Sequence, residues 1–267
     1  MKKVTLLGLG SIFLLAGSAK AGPLIDFEVS IGAIQQKPRG YVSYKPVSIS
    51  DRIDLKNDAR IEDKTQLWAR LKFEHTIPVI PNIKLAYMPM RFDGSGRLER
   101  EIKWGDYTYQ ANADFNLSLK LDRVDTTLYY NFPFIKTATA GKLDVEFGLN
   151  IRTVMVDGKL SGTTVDNRSV TEGRSITLPI PMGHLAAEIR PINQVSLVGE
   201  LNYIGYRKNT YYDYAVGLRL YSQGFVQTKL KPFMEVGYRH EKLKLDEKSV
   251  KTDLKVKGLY ALVGIRF

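Results

Sequence analysis

Apolar and polar residues alternate with a period of two along most of the chain beyond residue 24, the spacing that puts successive side chains on opposite faces of a β-strand. Ile25, Phe27, Val29, Ile31 and Ala33 alternate with Asp26, Glu28, Ser30 and Gly32. Leu67, Ala69, Leu71 and Phe73 oppose Gln66, Trp68, Arg70, Lys72 and Glu74, and Ile83, Leu85 and Tyr87 oppose Lys84, Ala86 and Met88. The most regular stretch sets Leu143, Val145, Phe147, Leu149 and Ile151 against Asp144, Glu146, Gly148, Asn150 and Arg152. Further strands are predicted around Leu185–Ile189, Val195–Tyr203, Tyr212–Leu220 and Met234–Tyr238. The chain closes on Leu259, Ala261, Val263, Ile265 and Phe267, all apolar, opposite Gly258, Tyr260, Leu262, Gly264 and Arg266. Between Phe115 and Phe132 the apolar residues change parity, from Phe115, Leu117, Leu119 and Leu121 to Val124, Thr126, Leu128, Tyr130 and Phe132, and a β-bulge near Asp122–Arg123 would account for the slip.

Ten strands result, joined by short connections near 77–82, 133–141, 191–194 and 222–229 and mostly longer ones over 35–63, 92–112, 157–174 and 242–257. The connection at 207–210 is short where a long one is expected, so eight or twelve strands also fit. No helical periodicity of useful length, sequence repeat or domain linker interrupts the pattern. One apolar face per strand, alternating short and long connections and an even strand count are the features of an all-β, transmembrane, antiparallel up-and-down β-barrel of about ten strands. In such a barrel the apolar face meets lipid and the last strand pairs with the first.

Lys2 and Lys3 precede an apolar run from Val4 to Ala16 and a small-x-small site at Ala19-Lys20-Ala21, the pattern of a cleaved secretory leader over residues 1–21. The remaining 22–267 is read as one barrel domain. Loss of Lys2, Lys3 and Lys20 lowers the net charge from +11 to +8. An exported basic chain suits lipopolysaccharide phosphates or another acidic glycan better than nucleic acid. With no cysteine there are no disulfides, no thiol chemistry and no site for a lipoprotein anchor. No later apolar run reaches helical membrane-spanning length, so any spanning is by strands.

Glu74-His75-Thr76-Ile77-Pro78-Val79-Ile80-Pro81-Asn82-Ile83-Lys84-Leu85-Ala86-Tyr87 resembles the strand, proline turn and strand of a family of Gram-negative outer-membrane β-barrel proteins of unassigned biochemical role. Asp125-Thr126-Thr127-Leu128-Tyr129-Tyr130 resembles that family's D-x-T-L-Y-Y segment, and Leu178-Pro179-Ile180-Pro181-Met182 its L-P-[IL]-P-M segment. Order and spacing match over nearly all of 22–267, although Gly183-His184 stands where a bulkier aromatic pair is expected. The resemblance implies residence in the outer membrane among its lipids and lipopolysaccharide. It also implies delivery by periplasmic chaperones and insertion by the barrel-assembly machinery, which reads Leu259, Ala261, Val263, Ile265 and Phe267. It carries over no catalytic residue.

On this phasing a charge network faces the lumen: Glu28, Arg70, Lys72, Glu74, Glu146, Arg152, Glu188, Arg190, Asp213, Arg219, Glu235, Arg239 and Arg266, with Asp26, Lys84, Asp144 and Glu200 on the same side. Acids and bases nearly balance, and in a narrow barrel they are expected to pair and close the lumen with help from bulky groups such as Trp68. A narrow channel for small solutes is the alternative. A lipopolysaccharide-modifying or proteolytic barrel enzyme would need a histidine beside a serine or acid. His75 and His240 fall on the outward face, and His184 is about 13 Å from Glu188 along its strand, so no catalytic site is assigned. No metal or cofactor motif is present. Tyr130, Phe132, Tyr203, Tyr206, Tyr211, Tyr212, Tyr214 and Trp104 read as interfacial girdle residues. The lysines over 242–257 read as a solvated loop tip near lipopolysaccharide phosphates.

Overall fold

The computed structural model describes residues 25–77, 79–222, 230–247 and 249–267. The predicted leader (1–21) and most of the predicted turn over 222–229 lie outside them. In chain order the strands are β1 (Ile25–Tyr44), β2 (Ile53–Asp54), β3 (Lys64–His75), β4 (Asn82–Met88), β5 (Arg91–Arg97), β6 (Ile102–Trp104), β7 (Tyr107–Tyr109), β8 (Asp114–Asn131), β9 (Leu143–Thr163), β10 (Ser169–Ile192), β11 (Val195–Tyr206), β12 (Asn209–Tyr221), β13 (Lys231–Asp246) and β14 (Val250–Arg266). A short helix, α1 (Pro133–Ala138), links β8 to β9.

All of these strands except the β6–β7 hairpin join one antiparallel sheet, and β14 pairs with β1 to close it. β4 and β5 both lie along β8 in one register and form a single wall strand interrupted at Pro89. β2 is a two-residue appendage of β1. The wall therefore has ten strands. The closing seam runs from Glu28 opposite Arg266 to Tyr44 opposite Val250. Beyond it Phe27 and Phe267 exchange both backbone hydrogen bonds, at 2.8 and 2.9 Å, so neither edge is left bare at the seam.

Several strands are about twice the length that a tilted strand needs to cross a bilayer, roughly 9–11 residues: β1 has 20, β9 21 and β10 24. The surplus builds a second storey. In the near storey, which holds Ile25 and Phe267, the outward positions are apolar: Val29, Ile31, Leu71, Leu128, Phe147, Leu149, Leu185, Leu197, Leu218, Val236 and Val263. In the far storey the same outward rows become polar, as in Asn116, Lys120, Lys159, Lys255 and Lys257, while Phe115, Leu117, Leu119, Leu160, Leu254 and Val256 turn inward and are buried.

That inversion corrects two sequence expectations. The parity change in β8 is not a bulge, because its pairing with β9 keeps one register from Phe115 opposite Gly162 to Asn131 opposite Glu146. The backbone phase is constant; what changes is which side of the wall is dry. Much of the four predicted long loops is strand as well. β1 continues to Tyr44, β5 and the β6–β7 hairpin occupy much of 92–112, β9 and β10 meet across residues 164–168, and β13 and β14 run to residues 246 and 250. Lys242, Lys244, Lys251, Lys255 and Lys257 accordingly stand on the outer wall of two strands, and Lys248 lies outside the described residues. Residues 45–63 do leave the wall, and they fold back to fill the far storey.

Candidate functional site

The candidate site is the filled lumen. Because every second residue of each strand points inward, ten strands deliver their polar set to one narrow space. Near the Ile25 end, Arg219 donates to both carboxylate oxygens of Glu28 (3.0 and 3.1 Å) and to Glu235 (2.7 Å). Glu235 also accepts from Arg70 (2.9 Å) and the Tyr260 hydroxyl (3.0 Å). Glu188 accepts from Arg190 (2.6 Å), Ser196 (2.7 Å) and Tyr221 (2.9 Å). Arg266, at the seam, lies 2.7 Å from Asp26 and 2.9 Å from Glu74.

Halfway along, Lys72 pairs with Glu146 (2.6 Å) and Glu74 (3.1 Å), and Lys84 with Glu200 (2.9 Å) and Glu146 (3.7 Å). His184 is buried among them, with Nδ1 2.8 Å from Asn202 Oδ1 and Nε2 3.4 Å from the Lys84 ammonium. Toward the far storey, Arg152 bridges Asp125 (2.6 Å) and Asp213 (2.5 Å), Arg239 pairs with Asp213, and Arg123 pairs with Glu241. Trp68 lies between the guanidiniums of Arg70 and Arg239, 4.9 and 5.0 Å from its ring. A cavity of about 60 Å³ lined by residues including Glu28, Arg70, Lys72, Glu146, Arg219 and Glu235 has room for a few waters at most.

All thirteen residues predicted for the lumen network point inward and take part in these ion pairs. Arg123, Asp125, Glu241 and Tyr211 belong to the network and escaped the sequence reading. The expected bulge hides Arg123 and Asp125, and Glu241 falls just past the end of the predicted strand, before the expected loop over 242–257. The signal for the first two was the odd parity of β8, which carries Phe115 and Asp125 on one face. Tyr211 is buried and donates to Glu241 at 2.5 Å, and Trp104 is buried in the far storey, so neither is a girdle residue. Phe27, Phe73 and Phe267 cluster instead on the outside at the near end, and Tyr130, Phe132 and Phe147 form a second outer cluster.

Above the charges sits an apolar plug. Ile53, Leu55, Ala59 and Ile61, from the segment that leaves the wall, are fully buried with Met90, Phe92, Phe115, Leu117, Leu160 and Tyr109. Burial pushes the Tyr109 phenol up to about 12. Inward positions 94 and 96 of β5 are glycine because the plug backbone runs against them: a Cβ there would meet the carbonyl oxygens of Ala59 and Asp58 at 2.2 and 1.9 Å. Among the described residues no group of three His, Asp or Glu side chains is arranged to hold a metal.

An apolar outer band, an inward charge network and a wall without edges suit a chain whose solvent is lipid on one side only. The chain is a closed ten-stranded antiparallel β-barrel with the cross-section of a membrane barrel. No family model and no curated protein matches it. Among solved structures it aligns with Ail of Yersinia pestis, solved with the heparin analogue sucrose octasulfate (12% identity, 91% of this chain and 99% of that one, TM-score 0.32). It also aligns with the translocator domain of the autotransporter NalP from Neisseria meningitidis (12%, 94% and 92%, TM-score 0.40) and the transport unit of AIDA-I from Escherichia coli (11%, 97% and 97%, TM-score 0.35). Identities of this size carry no activity from one barrel to another.

Proposed function

We propose that the barrel is a non-conducting structural and surface-interaction protein of the outer membrane, with no catalytic role. The observation that carries this reading is two barriers in series: ion pairs fill the near storey and the Ile53–Ile61 segment fills the far one. An ion crossing the lumen would have to separate buried pairs and then enter an apolar core, and each step removes solvation that nothing replaces. The histidines support the non-enzymatic part. His75 and His240 are on the outer face, where His240 stacks on Tyr214 at 5.3 Å, and among the described residues the polar contacts of His184 are Asn202, Lys84 and Glu146, while the Tyr129 ring meets it edge-on with its hydroxyl committed to Glu74. The apolar outer face of β14 fits recognition by the assembly machinery.

Purified protein in planar bilayers is expected to show no steady single-channel conductance, and envelopes of strains with and without the protein to have the same lipid A mass spectra. Reproducible conductance steps from the unmutated protein would replace this reading with a channel. Altered lipid A would replace it with an enzyme.

A further inference from the structure

The outer wall of the far storey is not evenly charged. Where β13, β14 and β1 run side by side, Lys242, Lys255 and Arg39 stand in one row and Lys257 and Lys37 in the row below, because Lys255 is directly opposite both Lys242 and Arg39, and Lys257 opposite Lys37. Like charges placed face to face across strands repel. Their carboxylate partners are too few: Asp63 serves Lys37 (4.0 Å) and Arg39 (3.1 Å), and Asp253 reaches Lys242 at 3.8 Å. Lys255 and Lys257 are exposed and have no carboxylate within 4.0 Å among the described residues. Elsewhere on this storey several charges are paired, Arg91 with Asp122, Lys64 with Asp93 at 2.9 Å and Lys159 with Asp157 at 3.3 Å. Of the cations outside such pairs, Lys120 is directly opposite Asp157 as well as Arg91, and Arg174 is opposite Gly158.

The position of the block is as informative as its sign. Nearer the Ile25 end the next outward row of the same strands holds Leu259 opposite Tyr238, and the row after it Ala261 with Val236 and Ala33, the start of the apolar band. His240, opposite Lys257, lies stacked against Tyr214 and Tyr212 at the same border. A ligand that satisfies both surfaces has anionic groups beside the cations and hydrocarbon below them.

We propose that this block binds the phosphates of a phosphorylated glycolipid of the outer leaflet, whose acyl chains descend along the apolar face of β13, β14 and β1. The inference rests on the barrel's placement in the membrane with its far storey outward, and is independent of whether the lumen conducts. A free phosphate would gain nothing from the apolar strip, so the site is assigned to the lipid.

The test uses the full barrel in detergent micelles doped with bis-phosphorylated lipid A, with enzymatically dephosphorylated lipid A or with phosphatidylcholine, and counts retained lipid by native mass spectrometry. The unmutated barrel is expected to retain phosphorylated lipid A in preference to both others, and added inorganic phosphate is expected not to displace it. Lys255→Gln with Lys257→Gln should weaken retention about tenfold or more, whereas Lys159→Gln should leave it unchanged. Equal retention of phosphorylated and dephosphorylated lipid A by the unmutated barrel would overturn the proposal, and that arm needs no variant to fold. Unchanged retention by a folded double variant would also overturn it, and displacement by inorganic phosphate would overturn the assignment to lipid.

Discussion

The two storeys are built from the same strands with opposite cross-sections. In the near storey the wall is apolar outside and charged within; in the far storey it is polar outside and apolar within. The backbone registers that run through both are continuous in β8, β9 and β10, so the difference is written in side chains alone. A strand in contact with lipid must hide its polar residues, and the lumen is the only place for them. Once the wall stands in water the ordinary rule of soluble cores returns, and Phe115, Leu117 and Leu119 point inward. One sheet thus carries a membrane protein and a soluble core end to end.

Removing Arg152 tests the near storey most severely. Its guanidinium is fully buried between Asp125 and Asp213, so Arg152→Ala leaves Asp125 with only Arg123 at 3.5 Å and Asp213 with only Arg239 as cationic partners among the described residues, and should destabilise the barrel by about 3–5 kcal/mol, read from urea unfolding in lipid vesicles. In the far storey the matching lesion is apolar: Phe115→Ala opens the plug and should cost about 3–5 kcal/mol. A value near zero for Phe115→Ala would deny that the far storey has a soluble-type core.

The outer faces provide a paired test. Phe147→Arg places a charge against lipid and should cost about 2–4 kcal/mol near the midplane, whereas Asn116→Arg, on the neighbouring strand but in the far storey, should be nearly silent. Reversed effects on folding yield in vesicles would refute the two-storey assignment. Gly94→Ala should cost about 1–3 kcal/mol by overpacking and make residues 45–63 sensitive to added protease, since its Cβ and the Ala59 carbonyl cannot share the space.

The smallest effect concerns Asp93 on the far outer wall. Hydrogen bonds from Lys64 and Ser118 hold its carboxyl below the usual carboxylate range. The stability this supplies is present above the unfolded value and is lost as pH falls through the folded one. Because the pair is largely exposed, Asp93→Asn should cost less than about 1 kcal/mol at neutral pH, and the difference between variant and parent should vanish in strong acid.

Legibility in the sequence followed the same division. Lipid outside and charge inside give each near-storey strand maximal contrast between its faces, and Leu143–Arg152 could be read directly. In β8 the contrast reverses sign at Asp122, which reads as a slipped phase, and Arg123 and Asp125 were lost from the network with it. Pro38 and Gly40 made β1 look finished at Ala33, although its register with β14 continues to Tyr44. The plug was visible only as isolated apolar residues, Ile53, Leu55 and Ile61, in a stretch of mixed charge. Its destination depends on contacts with β5, some 35 residues further on, that no local periodicity encodes.

The seam between β1 and β14 bears on time rather than on strength. Arg266 meets Asp26 across 240 positions of chain, yet the entropy of closing a loop grows only logarithmically, about 0.6 kcal/mol for each doubling of its length. Joining the two ends is therefore hardly dearer than joining two strands half as far apart. It is late, however, because contacts so distant in sequence form slowly, and both edge strands stay open until they meet. The interval before β14 finds β1 is the period in which this chain can pair with another copy of itself. An agent that holds either edge during that interval would govern the yield of barrel while leaving the stability of the finished one unchanged.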